Sequence, residues 1–225
     1  MLGGAPQAMA AAPASASPTI ASEAVAPYLD GVLASVDTYW HEEQAVEGHP
    51  PPLVGHVWVA PGAQVNTACG VSAGDTAAFY CPTDDTIYVG QAFATAMYNG
   101  VLKDLPGQKA GFGQAAGAFA VAYVIAHEYG HNIQQEDGVF AAPRRSALPT
   151  ELNADCLAGT YARWDHDHGG LDDAGVQQAL DAALAVGDFQ FLSPQHHGTP
   201  QQRRDAVQTG YQGASPSACN SFLQL

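Results

Sequence analysis

The feature that most constrains this chain is an HExxH pattern, which runs from His127 to His131. The residues before it, Phe119–Ala126, carry no charge, as expected of a helix buried beneath a cleft. On a helix, residues four apart lie one turn apart on the same face, so both histidines can bind one metal ion with Glu128 beside them. This arrangement predicts an open zinc site, in which a carboxylate takes a proton from the bound water. The alternative is a buried helix with two ordinary histidines.

A second pair of side chains supplies the remaining ligand. Glu151 follows His131 by twenty residues and Asp155 follows Glu151 by four, so a helix would present both carboxylates on one face. We assign Glu151 as the third metal ligand and Asp155 as the acceptor that orients a metal-bound histidine through its free ring N–H. The alternative is a helix with two solvated acids. Pro149 is tolerated only in the first turn of a helix, so this helix is predicted to begin near Leu148.

At these residues the chain resembles a known family. HExxH followed by ExxxD is similar to the gluzincin arrangement of thermolysin-like peptidases, and it is closer to a bacterial family of neutral zinc metallopeptidases. The similar segments, in the order of the family, are Phe79–Pro82, Ala122–Glu128, Glu151–Gly159, His197–Arg203 and the region of Cys219. Asn132 departs from the family, whose members often carry a histidine there, but a three-ligand site does not require that histidine.

The resemblance implies an α+β fold, mainly helical and zincin-like, with a small β-sheet or hairpin near the active-site helix. It implies one Zn²⁺ ion per chain, held by His127, His131 and Glu151, and a peptide or protein substrate. The predicted function is a zinc-dependent peptidase in which Glu128 acts as general base toward a zinc-activated water. The alternative is a catalytically silent, zinc-stabilised binding or assembly module with a zincin fold. The intact Glu128 argues against it, because a structural zinc ion does not need a base.

Peptide hydrolysis also requires a group that stabilises the oxyanion. His197 is the first candidate, since it begins the HGTxxQR segment that resembles the family, although capping of the following helix is an equally ordinary role for it. Further candidates are His196, Tyr123 and Tyr161. A short polar run that contains His166 and His168 can bind stray metal, but such a run is more typical of a solvated helix end.

Four cysteines, Cys69, Cys81, Cys156 and Cys219, allow three disulfide pairings. Their even number and the scarcity of metal-type spacings favour disulfides over a second zinc site, with free buried thiols as the alternative. We favour Cys69–Cys81, which closes a short loop, together with Cys156–Cys219, which ties the C-terminal tail to the ligand helix. Two disulfides indicate an extracytoplasmic or secreted protein.

Composition limits the partners and the domain organisation. Seven basic and 22 acidic residues give a net charge of −15, which repels nucleic-acid phosphates and anionic lipid. No apolar run approaches the roughly 18 residues of a membrane span, so no integral membrane segment is expected. Residues 1–24 are expected to form a flexible Ala/Pro/Ser-rich segment, and residues 25–225 a single zincin-like metallopeptidase domain. The first residues lack the features of a signal peptide, so we expect that a leader or anchor has been removed.

Periodicity and turn residues predict the remaining elements. The predicted helices are Tyr28–Val46, Gln91–Leu102, Ala115–Gln135, Glu151–Trp164, Asp172–Val186 and Pro200–Tyr211. The predicted strands are Leu53–Val59 and a hairpin of Ala77–Tyr80 with Thr86–Val89, and a loop over residues 136–148 is expected to join the ligand helices. The resemblance implies that a strand beside the active helix offers an edge to extended substrate. Residues 70–74 match the GxSxG motif of serine hydrolases, but no buried strand is predicted before them, so we reject that chemistry.

Overall fold

A computed structural model of the chain describes residues 19–141 and 145–224. Most of the segment predicted over residues 1–24 lies outside these residues, as do three residues of the loop predicted over 136–148. The described residues form a mixed α+β structure with mostly helices and a small sheet, which confirms the coarse prediction of fold class. The zincin-like character of the fold stays a prediction.

Helices account for most of the described chain. They are α1 (Ser22–Glu47), α2 (Gln91–Tyr98), α3 (Pro106–Lys109), α4 (Ala118–Glu136), α5 (Leu148–Asp167), α6 (Asp173–Val186) and α7 (Pro200–Gly213), with 3-10 helices at Val139–Ala141 and Pro216–Gln224. All the predicted helices are present, with shifted ends. Helix α1 begins at Ser22 instead of Tyr28, and α2 ends at Tyr98 because Gly100 turns the chain with a φ of 66°. The short helix α3 is not among the predictions.

Helix α4 lies at the centre of the molecule and carries the HExxH pattern. Its first half consists of alanine and larger apolar residues, and nearly every residue from Phe119 to Gln134 is buried. Helices α1, α2, α5 and α6 surround it. Full burial of a side chain such as Ile125 contributes about 1.5–3 kcal/mol. The HExxH turn is therefore part of the core and is held rigidly.

Helices α5 and α7 pack closely, which brings the C-terminal part of the chain to the HExxH helix. A Cβ atom added to Gly210 on α7 would lie 1.8 Å from the carbonyl oxygen of Cys156 on α5, so only glycine permits this approach. Helix α7 begins with a capping box in which Thr199 and Gln202 satisfy each other's backbone N–H groups. These features place Arg203, in the first turn of α7, against α5.

The strands form two small sheets, and the larger one packs against α4. Their strands are β1 (Gly55–Val59), β2 (Gln64–Asn66), β3 (Ser72–Gly74), β4 (Ala78–Cys81) and β5 (Thr86–Gly90). The larger sheet has the order β1-β5-β4, with β1 parallel and β4 antiparallel to β5, so the predicted hairpin is confirmed and β4 is an edge strand. Strands β2 and β3 form a second hairpin. Ser72 of the GxSxG motif lies in β3 and not at a strand-to-helix turn, which agrees with the rejection of serine hydrolase chemistry.

Two disulfide bonds join Cys69 to Cys81 and Cys156 to Cys219, and these are the two favoured pairings. The first ties the β2–β3 loop to the end of β4, and the second ties α5 to the last 3-10 helix. Disulfides persist in oxidising compartments, so both bonds are consistent with an extracytoplasmic location. Among residues 19–141 and 145–224, no helix combines the length and apolar composition that a membrane span requires.

Candidate metal centre

Helices α4 and α5 bring His127, His131 and Glu151 together. The Nε2 atom of His127 lies 3.3 Å from Glu151 Oε2, and the Nε2 atom of His131 lies 3.4 Å from Glu151 Oε1. The candidate ligand atoms all lie within 4.8 Å of one another. Ligands about 2.1 Å from a tetrahedral zinc ion are separated by about 3.4 Å, so this donor set fits such an ion. In the part of the chain that the structure describes, no other group of three such side chains occurs.

The approach of α4 to α5 depends on small residues where the helices touch. A Cβ atom added to Gly130 would lie 3.2 Å from the Cα atom of Ala154, which is closer than ordinary van der Waals contact. Glycine within the HExxH turn therefore lets the first turn of α5 reach both histidines. Glu151 lies in that first turn, where the helix dipole also favours a negative charge.

Asp155 contacts His127 from the side opposite to Glu151. Its Oδ1 atom lies 2.9 Å from Nδ1 of His127, and the carboxylate is fully buried. This contact places a proton on Nδ1 and leaves Nε2 of the same ring available to a metal ion. The structure thus places Asp155 where the helical spacing predicts it.

A buried arginine balances the charge of Asp155. Arg203 donates from Nε to Asp155 Oδ2 over 2.7 Å and from Nη2 to Oδ1 over 2.8 Å. The hydroxyl of Tyr123 donates to the same Oδ1 atom over 2.5 Å. The Arg203 guanidinium also lies 3.4 Å from the ring nitrogens of His127 and 3.8 Å from Glu151. Two acids, an arginine and a histidine therefore share one buried polar cluster.

Electrostatics in this cluster favour positive charge at the histidines. Burial alone lowers the pKa of His127, but the carboxylates of Asp155 and Glu151 outweigh burial and raise it to about 10. Burial likewise opposes the charged form of His131, yet Glu151 raises its pKa. Burial alone raises the pKa of Glu151, but the two histidines hold it well below its ordinary value. Since buried carboxylates require a nearby cation, a proton or a metal ion stabilises this site.

His131 has a neutral partner. Its Nδ1 atom lies 2.9 Å from Oε1 of Gln134, one turn further along α4. The Nε2 amide group of Gln134 donates to the carbonyl oxygen of Thr150 and to Oδ1 of Asn153, over 2.7 and 2.8 Å. Because both amide hydrogens are engaged, Oε1 accepts the proton on Nδ1 of His131. Nε2 of His131 is thus free for a metal ion.

Glu128 lies between the candidate ligands and the sheet. Its Oε2 atom accepts a 2.8 Å hydrogen bond from the backbone N–H of Tyr80 on β4. This N–H points away from β5, so β4 turns its outer edge toward α4. One carboxylate oxygen of Glu128 is thereby held, and the other, Oε1, is left to accept a proton.

An open cleft of about 470 Å³ connects the cluster to solvent. Its polar lining includes His127, Glu128, His131, Glu151, His197 and Arg203. Its apolar lining includes Ala78, Phe79, Phe93, Leu105, Val124 and Val186. A concave, largely apolar surface with a few convergent polar groups is typical of a substrate site.

The adjacent histidines His196 and His197 differ in their surroundings. His196 is buried, and its Nδ1 atom lies 2.6 Å from Asp188 Oδ1. The side chain of His197 is 46% exposed and lines the cleft. Its backbone N–H donates to Asp188 Oδ2 over 3.0 Å, and its Nδ1 atom lies 3.5 Å from the same oxygen. Of this pair, His197 is the one placed to reach a molecule in the cleft.

The other oxyanion candidates are engaged elsewhere. The hydroxyl of Tyr161 donates to Ser35 on α1 over 3.1 Å, and the hydroxyl of Tyr123 donates to Asp155. His166 and His168 lie at the end of α5 and its C-cap, and neither belongs to a potential metal-binding group among the described residues. This agrees with their interpretation as a solvated helix end.

Two contributors to the cluster are missing from the sequence predictions, Gln134 and Arg203. Gln134 follows His131 by three residues, and this spacing on a helix is a signal that could have identified it. Arg203 ends the HGTxxQR segment, but no local pattern indicates its ion pair with Asp155, which lies 48 positions away in the chain.

Comparisons with known proteins cover nearly the whole chain. The model of a family described as "Putative neutral zinc metallopeptidase" matches residues 1–222. Uncharacterized protein Rv2575 of Mycobacterium tuberculosis is 33% identical over 214 residues, which cover 84% of this chain and 67% of that protein. Uncharacterized protein YpfJ of Escherichia coli K12 is 30% identical over 215 residues, which cover 85% of this chain and 69% of that protein. No solved structure matches the chain.

Proposed function

Because the chain belongs to the family of neutral zinc metallopeptidases, we propose that it is a zinc-dependent peptidase with Glu128 as general base. One observation carries this proposal: two histidines and two glutamates converge in a cleft that is open to solvent. Structural zinc sites are closed by four protein ligands, whereas catalytic sites have three and keep a position open. The group of His127, His131 and Glu151 has three ligands with Glu128 beside it, which is the arrangement of a catalytic zinc site.

The proposed metal ligands are His127, His131 and Glu151. A zinc ion held by these residues would act as a Lewis acid and would lower the pKa of a coordinated water to about 7. Asp155 and Gln134 each hold the Nδ1–H of one ligand histidine, so both Nε2 atoms are oriented toward the metal position. Glu128 accepts a proton at Oε1, since its Oε2 atom is held by the N–H of Tyr80.

We assign His197 the stabilisation of the oxyanion. It lines the cleft from the side of α7, and Asp188 holds both its backbone N–H and the neighbouring His196. The buried His196 then acts as a support for this turn. A neutral or protonated imidazole can donate a hydrogen bond to a developing negative charge.

The proposed substrate is a peptide in extended conformation. The N–H of Tyr80, which donates to Glu128, marks the outer edge of β4, and the alternation of an antiparallel ladder turns the main-chain groups of Ala78 to the same edge, where this residue lines the cleft. A peptide can add itself to such an edge through main-chain hydrogen bonds. Phe93, Leu105 and Val186 offer apolar contact to its side chains. The net charge of −15 disfavours strongly acidic peptides.

We also propose an extracytoplasmic location. Two disulfides support it, because cytosolic thiols are kept reduced in most organisms. A peptidase outside the cytoplasm would act on peptides or on exposed segments of other proteins.

Replacing Glu128 by Gln tests the function. The wild-type protein and Glu128→Gln are purified without a metal-affinity tag or chelator, and metal content is measured by plasma mass spectrometry. We expect about one zinc ion per chain in both, because the ligands are unchanged. In a peptide-library digest, the variant should lose roughly 10²–10⁴-fold in rate. Zinc-loaded wild-type protein that cleaves no peptide would favour the silent binding module, and absence of zinc after its addition would refute both functions.

A further inference from the structure

Strand β4 is attached to helix α4 at two points. At the first, the backbone N–H of Tyr80 donates to Glu128 Oε2 over 2.8 Å. At the second, the hydroxyl of the same tyrosine donates to Asp85 Oδ1 over 2.6 Å, and that oxygen also accepts a 2.8 Å hydrogen bond from the side-chain amide of Asn132. Glu128 and Asn132 are four residues apart on α4, so the two points lie one helical turn apart on one face.

Asp85 is held from three directions. Its side chain receives hydrogen bonds from Tyr80 on β4 and from Asn132 on α4, and its carbonyl oxygen accepts the N–H of Gly55 on β1 over 2.8 Å. Its φ of 51° is left-handed, a conformation that L side chains rarely adopt. Such a conformation persists where the surrounding structure over-determines it, and such positions cluster at functional sites. Asp85 therefore joins β4 to α4 through its carboxylate and holds β1 through its backbone carbonyl group.

The contribution of Asn132 is the pair of hydrogen bonds that its side-chain amide donates. It is fully buried, and its Nδ2 group donates to Asp85 and to the carbonyl oxygen of Leu53, the latter over 3.1 Å. Its Oδ1 atom has no hydrogen-bond partner within the described residues. An unpartnered buried oxygen lowers stability, and an apolar side chain would avoid that cost. The two hydrogen bonds from Nδ2 are therefore the feature that requires an amide here.

We propose that Tyr80, Asp85 and Asn132 form a clamp that positions β4 and, through it, the carboxylate of Glu128. The three are positioning residues. By setting the separation of β4 from α4, the clamp sets the direction of Oε1 and the place at which a peptide adds to the strand edge. The catalytic consequence rests on the proposed function, whereas the placement of the N–H at position 80 does not.

Tyr80→Phe tests the clamp, because it removes the hydroxyl and keeps the backbone N–H. Tyr88→Phe is the matched control, because it removes a 2.9 Å hydrogen bond from a tyrosine hydroxyl on β5 to Asp84 in the same turn. The carboxylate of Asp84 accepts the backbone N–H of Ala68 and receives no hydrogen bond from α4 among the described residues. We expect Tyr80→Phe to lower kcat by roughly ten- to hundredfold with a smaller change in KM. Hydrogen exchange of the backbone amide at position 80 should become roughly tenfold faster, because its bond to Glu128 opens more often. Zinc content should be unchanged.

Two replacements of Asp85 separate the clamp from general stability. Asp85→Asn keeps an acceptor oxygen and a residue that tolerates left-handed backbone, so we expect kcat and amide exchange within a few-fold of wild type. Asp85→Ala should behave like Tyr80→Phe. The clamp is overturned if amide exchange at position 80 is the same in Tyr80→Phe and Tyr88→Phe, or if Asp85→Asn is as impaired as Asp85→Ala. Amide exchange is measured without substrate, so a wild-type protein that cleaves no peptide refutes the proposed function and still leaves the clamp to be decided.

Discussion

The two histidines of the HExxH pattern lie one turn apart on one helix, yet their surroundings differ in charge. Nδ1 of His127 contacts the carboxylate of Asp155, which is paired with Arg203. Nδ1 of His131 contacts the neutral amide of Gln134. Both arrangements leave Nε2 available for a metal ion. At His127 the partner belongs to an ion pair, and at His131 the partner is a neutral amide dipole.

This difference separates two effects of a partner on a ligand histidine, the orientation of its ring and the attraction of positive charge. A buried carboxylate orients the imidazole and also attracts positive charge, but it must be balanced, and Arg203 supplies that balance. An amide orients the ring without charge and needs only partners for its own N–H groups, which Thr150 and Asn153 provide. We therefore expect the surroundings of His127 to control stability and metal affinity more strongly than those of His131.

The largest effect is expected for Arg203→Met, which breaks the ion pair. Removal of Arg203 takes two charge-assisted hydrogen bonds from the buried carboxylate of Asp155 and leaves protonated His127 as its remaining cation, so the free energy of unfolding should fall by about 3–5 kcal/mol. Denaturant unfolding of the zinc-free protein measures it. The double variant Asp155→Asn with Arg203→Met should recover part of the loss, because the buried group that has lost its guanidinium partner is then neutral. A loss below about 1 kcal/mol for the single variant would show that protonated His127 balances the carboxylate of Asp155 without the guanidinium.

The next effect is the loss of zinc affinity when the partner of each histidine is replaced. Asp155→Asn should weaken zinc binding roughly 10–100-fold, because the charged partner of His127 is lost. Gln134→Met, which removes the neutral partner of His131 at similar volume, should weaken it less, by roughly three- to tenfold. Competition with a chromophoric chelator at fixed pH measures both. Equal losses would contradict the idea that charge at His127 adds to orientation.

The smallest effect is the change that Asp155→Asn makes to the pH dependence of zinc binding. In the zinc-free protein the carboxylates of Asp155 and Glu151 raise the pKa of His127 to about 10, so below that pH zinc must displace a proton from it. Affinity should therefore rise with pH up to about 10, by about tenfold per pH unit for each proton displaced. Asp155→Asn lowers the pKa of His127 and should flatten this rise at the alkaline end, whereas Gln134→Met should leave it unchanged. A slope that Asp155→Asn does not alter would refute the role of that carboxylate.

The elements that carry the proposed ligands could be predicted because their signals are local. HExxH and ExxxD place side chains on one face through the helical period alone, and Pro149 correctly indicates that α5 begins at Leu148. The disulfide Cys69–Cys81, favoured among three possible pairings because it closes a short loop, is present. Helix α3, with only four residues, is too short to produce a periodic signal and is absent from the predictions.

The contacts around the ligands could not be predicted in this way. Arg203 meets Asp155, and Tyr80 meets Glu128, across 48 positions of the chain in each case. A helical or strand period specifies neighbours on its own element, whereas these hydrogen bonds depend on how α7 packs on α5 and how β4 lies beside α4.

The sequence by itself determined which groups are available and how they are spaced along each helix. Tertiary structure alone decided the partner of each group, because a hydrogen bond requires two atoms within about 3 Å, and packing sets that distance. His196 and His197 show this most simply. They are adjacent residues of one type, and the position of Asp188 buries the first and leaves the second at the cleft.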